Sequence, residues 1–398
     1  MRWLVVSDSH LGAWTGDDLL SHRWACEVLR PELERADGVV LLGDFLDLLF
    51  AKTELAFDRA EPFVDLLAQT LAGKRLVWLA GNHDHHVLVR RLESLVELRV
   101  ATGAPYEQLA ERWRDGFYFE AFLRRRLPRT EVEFAYPDYR IGDTLLSHGH
   151  YLDGEVRGSV ANRLLQGGIR RIAGGRGLVP SIEDYEAALV PLTELLYVMA
   201  QLPQGAAAER RIQADLRRIA RITAAVAAPE RELYRLARSL ARRARSLPDT
   251  RPGASDDPLA RPVSPGSPVM PSLNAFARVC RSLGWDREAR WLVFAHTHQP
   301  LDGAHASIPG SNLRFWNTGS WIYEPPRGTT RDYLHYLRHN WPGSVVVIDT
   351  ESRDGAPRLL ELLADDRAAV QARLRGARPR DACPLHRYED VRRFIGRT

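Results

Sequence analysis

Short apolar runs alternate with amphipathic stretches through the first 150 residues. Arg2–Ser7, Gly38–Gly43 and Arg75–Gly81 are brief and apolar, and each ends in a polar cluster, so they read as buried strands. Between them, Leu19–Arg35 and Phe57–Leu71 carry apolar residues at helical spacing, which predicts two helices packed on those strands. This alternation is that of an α/β sheet, whose functional groups gather at the carboxyl ends of its strands. Further on, Glu131–Ala135 and Arg140–Ser147 read as a strand pair. Trp291–Phe294 reads as a lone strand, and Ser344–Asp349 with Arg358–Leu363 as a closing pair.

The pattern changes after His150. From Gly158 to Leu247 it is helical, with Ser181 placed to cap a helix that begins Ile182-Glu183-Asp184. Ile212, Leu216, Ile219 and Ile222 form one apolar stripe opposite arginines 210, 211, 217, 218 and 221. Leu233, Leu236, Ala237 and Leu240 form a second, so Glu209–Leu247 is expected to be an amphipathic helix pair. Pro248–Pro271 is rich in Pro, Ser, Gly and Asp and reads as a disordered loop. Ser272 is then expected to cap a helix running through Leu283 and stopped by Gly284. The expected organisation is a core in two parts, residues 1–150 and 291–364. Residues 151–290 are a helical insertion containing the loop 248–271, and 365–398 an arginine-rich helical tail to which the sequence attaches no function.

Composition narrows the class. The chain has 398 residues, 45% hydrophobic and 27% charged, enough for a sizeable core without disulfides. Cys26, Cys280 and Cys383 are far apart and form no CxxC, which excludes a zinc knuckle or a disulfide framework and fits a reducing compartment. Asp8 and His10 follow the first strand at once, leaving no room for a leader peptide. The apolar stretch Ala187–Leu202 is interrupted by Pro191 and Glu194 and is too short to span a bilayer. A cytoplasmic location is expected, with peripheral membrane contact through the arginine faces left open. The net charge of +4 would suit an anionic partner, but Lys52 and Lys74 are the only lysines. An arginine excess beside abundant Ala, Leu and Gly reads instead as the codon bias of a GC-rich bacterial genome.

Five polar clusters carry the chemistry: Asp8-Ser9-His10, Gly43-Asp44-Phe45-Leu46-Asp47, Gly81-Asn82-His83-Asp84, His148-Gly149-His150 and His296-Thr297-His298. Each directly follows a strand-like run, so all five can converge on one sheet edge. In an extended segment residues i and i+2 project to the same side, so D-x-H and H-x-H can each offer two ligands to neighbouring metals. Mixed carboxylate, imidazole and amide donors suit manganese, iron or zinc better than calcium or magnesium.

The five motifs, in this order, resemble those of the calcineurin-like metallophosphoesterase superfamily: D-x-H, G-D-x-x-D, G-N-H-D, G-H and G-H-x-H. Ala295 stands where the last usually has glycine. The resemblance implies a four-layer α/β/β/α sandwich, here with an inserted helical subdomain, and two divalent cations, with manganese preferred. One cation would be held by Asp8, His10, Asp44 and His298, the other by Asp44, Asn82, His148 and His296. His83 would protonate the leaving group or steady transition-state charge, with Asp84 orienting it from behind. A hydroxide bridging the cations would attack phosphorus directly. Asp47 stands where purple acid phosphatases carry a ligating tyrosine, which disfavours that subfamily. His150 and Asp153 are candidates to contact substrate or to support the ligands. Asn317, in the run Asn317-Thr318-Gly319-Ser320-Trp321, is expected beside the site, whereas His85 and His86 are expected only to begin a helix.

The insertion lies between the fourth and fifth motifs, as does the helical lid of bacterial UDP-2,3-diacylglucosamine pyrophosphohydrolases. This plan resembles theirs and implies a small or lipid-linked phosphate substrate. Those enzymes carry arginine where this chain has His83, and their insertion is shorter. DNA-repair nucleases of the superfamily place their cap after the last motif, and the arginine helices here lack the interleaved aromatics of single-strand grooves. Nucleic acid is therefore disfavoured as a partner. A non-catalytic scaffold is disfavoured by the complete ligand set, and the oligomeric state is not read from the sequence.

Overall fold

A computed structural model describes residues 1–13, 17–88, 118–155, 180–201, 270–303, 313–325, 330–352, 354–365 and 367–374. The expected helix pair Glu209–Leu247, residues 248–269 of the expected loop Pro248–Pro271 and the tail beyond 374 lie outside the described residues, while Met270 and Pro271 are helical.

In chain order the strands are β1 (Arg2–Val6), β2 (Asp17–Asp18), β3 (Gly38–Leu42), β4 (Arg75–Leu79), β5 (Glu131–Ala135), β6 (Asp138–Ile141) and β7 (Thr144–Ser147). They continue with β8 (Trp291–Phe294), β9 (Arg314–Asn317), β10 (Ile322–Tyr323), β11 (Ser344–Asp349) and β12 (Arg358–Glu361). The α-helices are α1 (Arg23–Arg35), α2 (Thr53–Thr70), α3 (Tyr118–Arg126), α4 (Ile182–Gln201), α5 (Met270–Leu283), α6 (Thr330–His339) and α7 (Arg367–Arg373).

Two larger sheets form. One has six strands in the order β12-β11-β1-β3-β4-β5, the other four in the order β6-β7-β8-β9, and β2 pairs with β10 in a small ribbon. β1, β3, β4 and β5 run parallel, as do β7, β8 and β9.

The strand alternation sorts side chains into three cores. Trp3, Val5, Val40, Leu42, Val77 and Leu79 face Ile141, Leu146, Trp291, Val293 and Trp316, so the two sheets pack face to face. The alternate residues Leu4, Val6, Val39, Leu41, Leu76 and Trp78 pack against Leu29 and Leu33 of α1 and Phe63 and Leu67 of α2. On the far side, Leu292, Phe294 and Phe315 pack against Phe276, Val279 and Cys280 of α5. Helix, sheet, sheet, helix is the α/β/β/α sandwich that the motifs imply.

Several boundaries and one pairing differ from expectation. Leu19–Ser21 is a separate 3₁₀ turn, because His22 adopts an extended conformation before α1. The second helix begins at Thr53, earlier than Phe57, and α5 begins at Met270, so Ser272 sits in its first turn and does not cap it. Ser181 does precede α4, where its N–H donates to Asp184 Oδ2 at 2.9 Å in a capping arrangement. Glu131–Ala135 and Arg140–Ser147 are not partners. β5 adds to β4 in the large sheet, whereas Asp138–Ser147 folds into its own hairpin, β6–β7. The closing pair is as expected, with β11 and β12 antiparallel. The start of the expected tail is docked, with the Arg367 guanidinium over the Trp341 ring at 5.5 Å. No helix among the described residues is long and apolar enough to cross a membrane.

Candidate active site

The parallel strands β1, β3 and β4 of one sheet and β7 and β8 of the other deliver their carboxyl ends to one edge of the sandwich. The loops that leave them are stitched to one another through the backbone. Asp8 N–H donates to Gly43 O at 3.1 Å, His10 N–H to Asp44 O at 2.9 Å, and Ala295 N–H to His148 O at 3.0 Å. His83 N–H donates to Asp44 Oδ1 at 2.8 Å.

The stitching demands close approach. A Cβ on Gly81 would stand 2.1 Å from Asp44 Oδ1, and one on Gly43, at φ +81°, 2.3 Å from His148 Nδ1. Among the described residues, the non-glycine positions with positive φ are Asp8, His10, Asp44, His296 and His298. Left-handed backbone at such residues costs on the order of 1–3 kcal/mol each. Here it falls only on candidate ligands, turning their side chains off the strands and inward.

The side chains meet in two groups around Asp44. In the first, His10 Nε2 and His298 Nε2 are 3.0 Å apart, and His298 Nε2 lies 3.2 Å from Asp8 Oδ1. Asp8 Oδ1 is buried yet accepts no hydrogen bond of good geometry. Its other oxygen accepts from the Ser7 hydroxyl at 2.6 Å, which holds the carboxylate in place. Donor atoms separated by about 3 Å are spaced as ligands sharing one ion with bonds of about 2 Å.

In the second group, His148 Nε2 is 3.2 Å from Asp44 Oδ2 and 3.3 Å from Asn82 Oδ1. His148 Nδ1–H donates to Leu42 O at 2.9 Å, which leaves the Nε2 lone pair directed into the site. His296 completes this group with Asp44 and His148. Asp44 Oδ2 is also 3.6 Å from His10 Nε2, so its carboxylate faces both groups.

The electrostatics call for positive charge. Burial works against protonation of His148, but the Asp44 carboxylate outweighs it and pushes the pKa up to about 9. Burial would likewise raise Asp44 and Asp8, yet the surrounding imidazoles hold both carboxyls below the usual range. Buried carboxylates that draw protons onto neighbouring imidazoles form a site suited to divalent cations. The donor set of carboxylate, imidazole and amide oxygen fits them chemically.

One expected role is corrected. Asp84 does not orient His83: its carboxylate accepts from Gly81 N–H at 2.7 Å and Phe45 N–H at 2.8 Å, tying two ligand loops together. The imidazole partner is Asp47, with His83 Nδ1 2.9 Å from Asp47 Oδ1. Burial opposes a charge on His83, but Asp47 and Asp44 push its pKa up to about 10. Asn317 packs beside the site as expected: it is fully buried, donates to Ala295 O at 2.8 Å and accepts from Gly319 N–H at 2.8 Å. It shapes the last ligand loop.

Asp153 Oδ2 lies 3.1 Å from His296 Nε2, at the site's rim. His150 is buried behind His148, its Nε2 3.3 Å from the Tyr136 hydroxyl. His86 begins a helical turn as expected. His85 does more, pairing with Glu186 of α4 at 2.8 Å. Ser7, Tyr136 and Glu186 carried no motif signal. Only the folded chain brings them to the site's back wall.

No curated protein matches the chain at a significant level. Residues 1–166, which supply four of the five ligand loops, match the family model described as calcineurin-like phosphoesterase. In residues 1–166 the chain is similar to the calcineurin-like phosphoesterases, and with His296 and His298 joining the same cluster it is a metal-dependent phosphoric ester hydrolase.

Proposed function

We propose that the chain is a dinuclear hydrolase of a small or lipid-linked phosphate ester or pyrophosphate. The observation that carries this reading is the Asp44 carboxylate between two ligand groups, 3.6 Å from His10 Nε2 and 3.2 Å from His148 Nε2. Asp8, His10, Asp44 and His298 would hold one cation, and Asp44, Asn82, His148 and His296 the other. Manganese suits the donors best, with iron or zinc as alternatives. Bound there, the cations would supply Lewis acidity toward a phosphoryl oxygen and a lowered pKa for coordinated water.

The remaining work falls to the chain's own residues. Asp47 fixes the His83 ring through Nδ1 and keeps it protonated, so the Nε2 proton is available to a leaving oxygen. Phe50, whose ring packs edge-on to His83 at 5.5 Å, limits the ring's rotation. Asp153 at the rim is placed to act on substrate or on water beside His296. The buried thiols Cys26 and Cys280 sit in the two outer cores, so no cysteine nucleophile among the described residues competes with direct displacement.

The substrate half of the proposal rests on the insertion. Its helix α4 meets the loop after His83 through Glu186 to His85 at 2.8 Å and Glu194 to His86 at 2.7 Å. The insertion therefore borders the site, where a lid over an acyl or nucleotide group would have to stand. The test is manganese-dependent hydrolysis of an aryl phosphomonoester, an aryl phosphodiester, a nucleotide-diphosphate lipid and single-stranded DNA, with a chelator control. Preference for the lipid-linked pyrophosphate is expected. Preference for DNA would overturn the substrate assignment, and hydrolysis undiminished by chelation would overturn the metal assignment.

A further inference from the structure

Behind the site lies a buried polar cluster that the hydrolytic reading does not use. Glu186, in the second turn of α4, is 14% exposed at its side chain. One of its oxygens accepts from His85 Nε2 at 2.8 Å, and the other from the hydroxyls of Tyr136 and Tyr151. The Tyr136 hydroxyl lies 3.3 Å from His150 Nε2. His85 follows directly on the Asn82-His83-Asp84 loop, and His150 stands two residues beyond His148. One carboxylate from the insertion is thus joined to both loops.

We propose that Glu186 is a positioning residue for the hydrolytic site, clamping the loop of Asn82 and His83 and the loop of His148 in fixed relation. The clamp draws its meaning from the dinuclear reading above, because the loops it joins would carry ligands of the second cation.

The protons balance without any further ion. His150 Nε2–H donates to the Tyr136 oxygen. The Tyr136 and Tyr151 hydroxyls donate to one Glu186 oxygen, and His85 Nε2–H donates to the other. Each N–H and O–H so placed finds an acceptor within the cluster. A third cation is the competing explanation, since His85, His150 and Glu186 lie within ligand range of one another. Cation binding at both Nε2 atoms would place a proton on each Nδ1. Both Nδ1 atoms are buried and have no hydrogen-bond partner. Metal-bound histidines almost always donate that second N–H to an acceptor, so the geometry favours the clamp. The ring stacking of Tyr151 on Tyr185 of α4, with centroids 5.1 Å apart, braces the same junction.

The full-length Glu186→Ala and Glu186→Gln variants test the proposal. Amide hydrogen exchange in the metal-free protein should quicken about tenfold or more in residues 81–88 and 148–155 of Glu186→Ala. Its Mn²⁺ affinity should weaken by about tenfold, the lower end for residues that support ligands. With a small aryl phosphodiester kcat should fall while KM holds. Glu186→Gln keeps an acceptor for the tyrosines and should recover most of these losses.

Gln201→Ala is the control. Gln201 ties the far end of α4 to Thr53 and Ala51 at 2.9 Å, and its loss should leave both loops protected. Unchanged exchange in Glu186→Ala would overturn the clamp. So would equal exchange in Gln201→Ala, because the effect would then belong to helix docking as a whole. If Glu186→Ala does not fold, Tyr151→Phe removes one donor and keeps the carboxylate, and exchange in 148–155 must still rise. A wild-type protein that binds no Mn²⁺ would sink the dinuclear reading, while the metal-free exchange would still decide the clamp.

Discussion

At the scale of single residues, neighbouring carboxylates divide their labour according to what each faces. Asp84 is adjacent to His83 in sequence, but adjacent side chains project apart, and its oxygens meet the N–H groups of Gly81 and Phe45. Asp47 reaches the imidazole from another loop. His83→Ala should therefore lower kcat by roughly 10²–10⁴-fold, the range for a general acid, with metal content intact. Full activity with both metals bound would remove His83 from catalysis. Asp47→Asn should lower kcat without loss of metal. Asp84→Asn should instead loosen the loops and weaken metal retention, so metal analysis beside kcat separates the two. The D-x-H, G-D-x-x-D, G-N-H-D, G-H and H-x-H residues that the fold gathers into one cluster were legible because each motif is local and each follows a strand. The Asp47–His83 pair was not, because its two carboxylate candidates differ only in tertiary direction.

At the scale of elements, strands could be read and their partners could not. Glu131–Ala135 and Arg140–Ser147 both have strand patterns, but alternation says nothing about which sheet a strand joins. The turn at Gly142, φ +56°, gave the second stretch its own hairpin partner. The insertion's hold on the site was equally hidden, since a glutamate in a helical stretch carries no motif. The sharpest requirement at this scale is the approach of the β3 and β4 loops. Gly81→Ala would drive a methyl group into Asp44, and neither loop can retreat without losing its backbone bonds to the other. It should cost on the order of 1–3 kcal/mol in stability and abolish tight Mn²⁺ binding. Gly73→Ala, at φ +77° with nothing nearby, is the contrast. It should cost about 1–2 kcal/mol from left-handed strain alone and leave Mn²⁺ binding intact. Equal metal binding in both variants, followed by calorimetric titration, would mean that the close approach is not what shapes the site.

At the scale of the whole molecule, the site makes the metal-free fold depend on protons. His83 and His148 titrate in the fold at about 10 and about 9, against an ordinary value of 6.5, and His298 is raised in the same direction. A group whose pKa is raised on folding contributes stability that is fully present below its unfolded value. That stability is lost as pH climbs through the folded value. Asp84, pushed up to about 7 by burial and by Asp44, adds to the loss over the lower part of the same climb. His150, held neutral by burial and by His148, acts only below 6.5, where the unfolded chain would protonate. The raised tyrosines act near pH 10 and above. Between about pH 6.5 and 8.5, then, the shifts among the described residues act in one direction. The melting temperature of chelator-treated protein should fall across that window. Mn²⁺-loaded protein should fall less, because cations take the place of the protons that Asp8 and Asp44 otherwise hold on His148 and His298, while the share of His83, paired with Asp47, remains. The gap between the two melting curves should therefore widen as pH rises. A metal-free protein equally stable at both ends of the window would mean that its imidazoles are not charged by Asp8, Asp44 and Asp47. The inference that the site is built around positive charge would then fail with it.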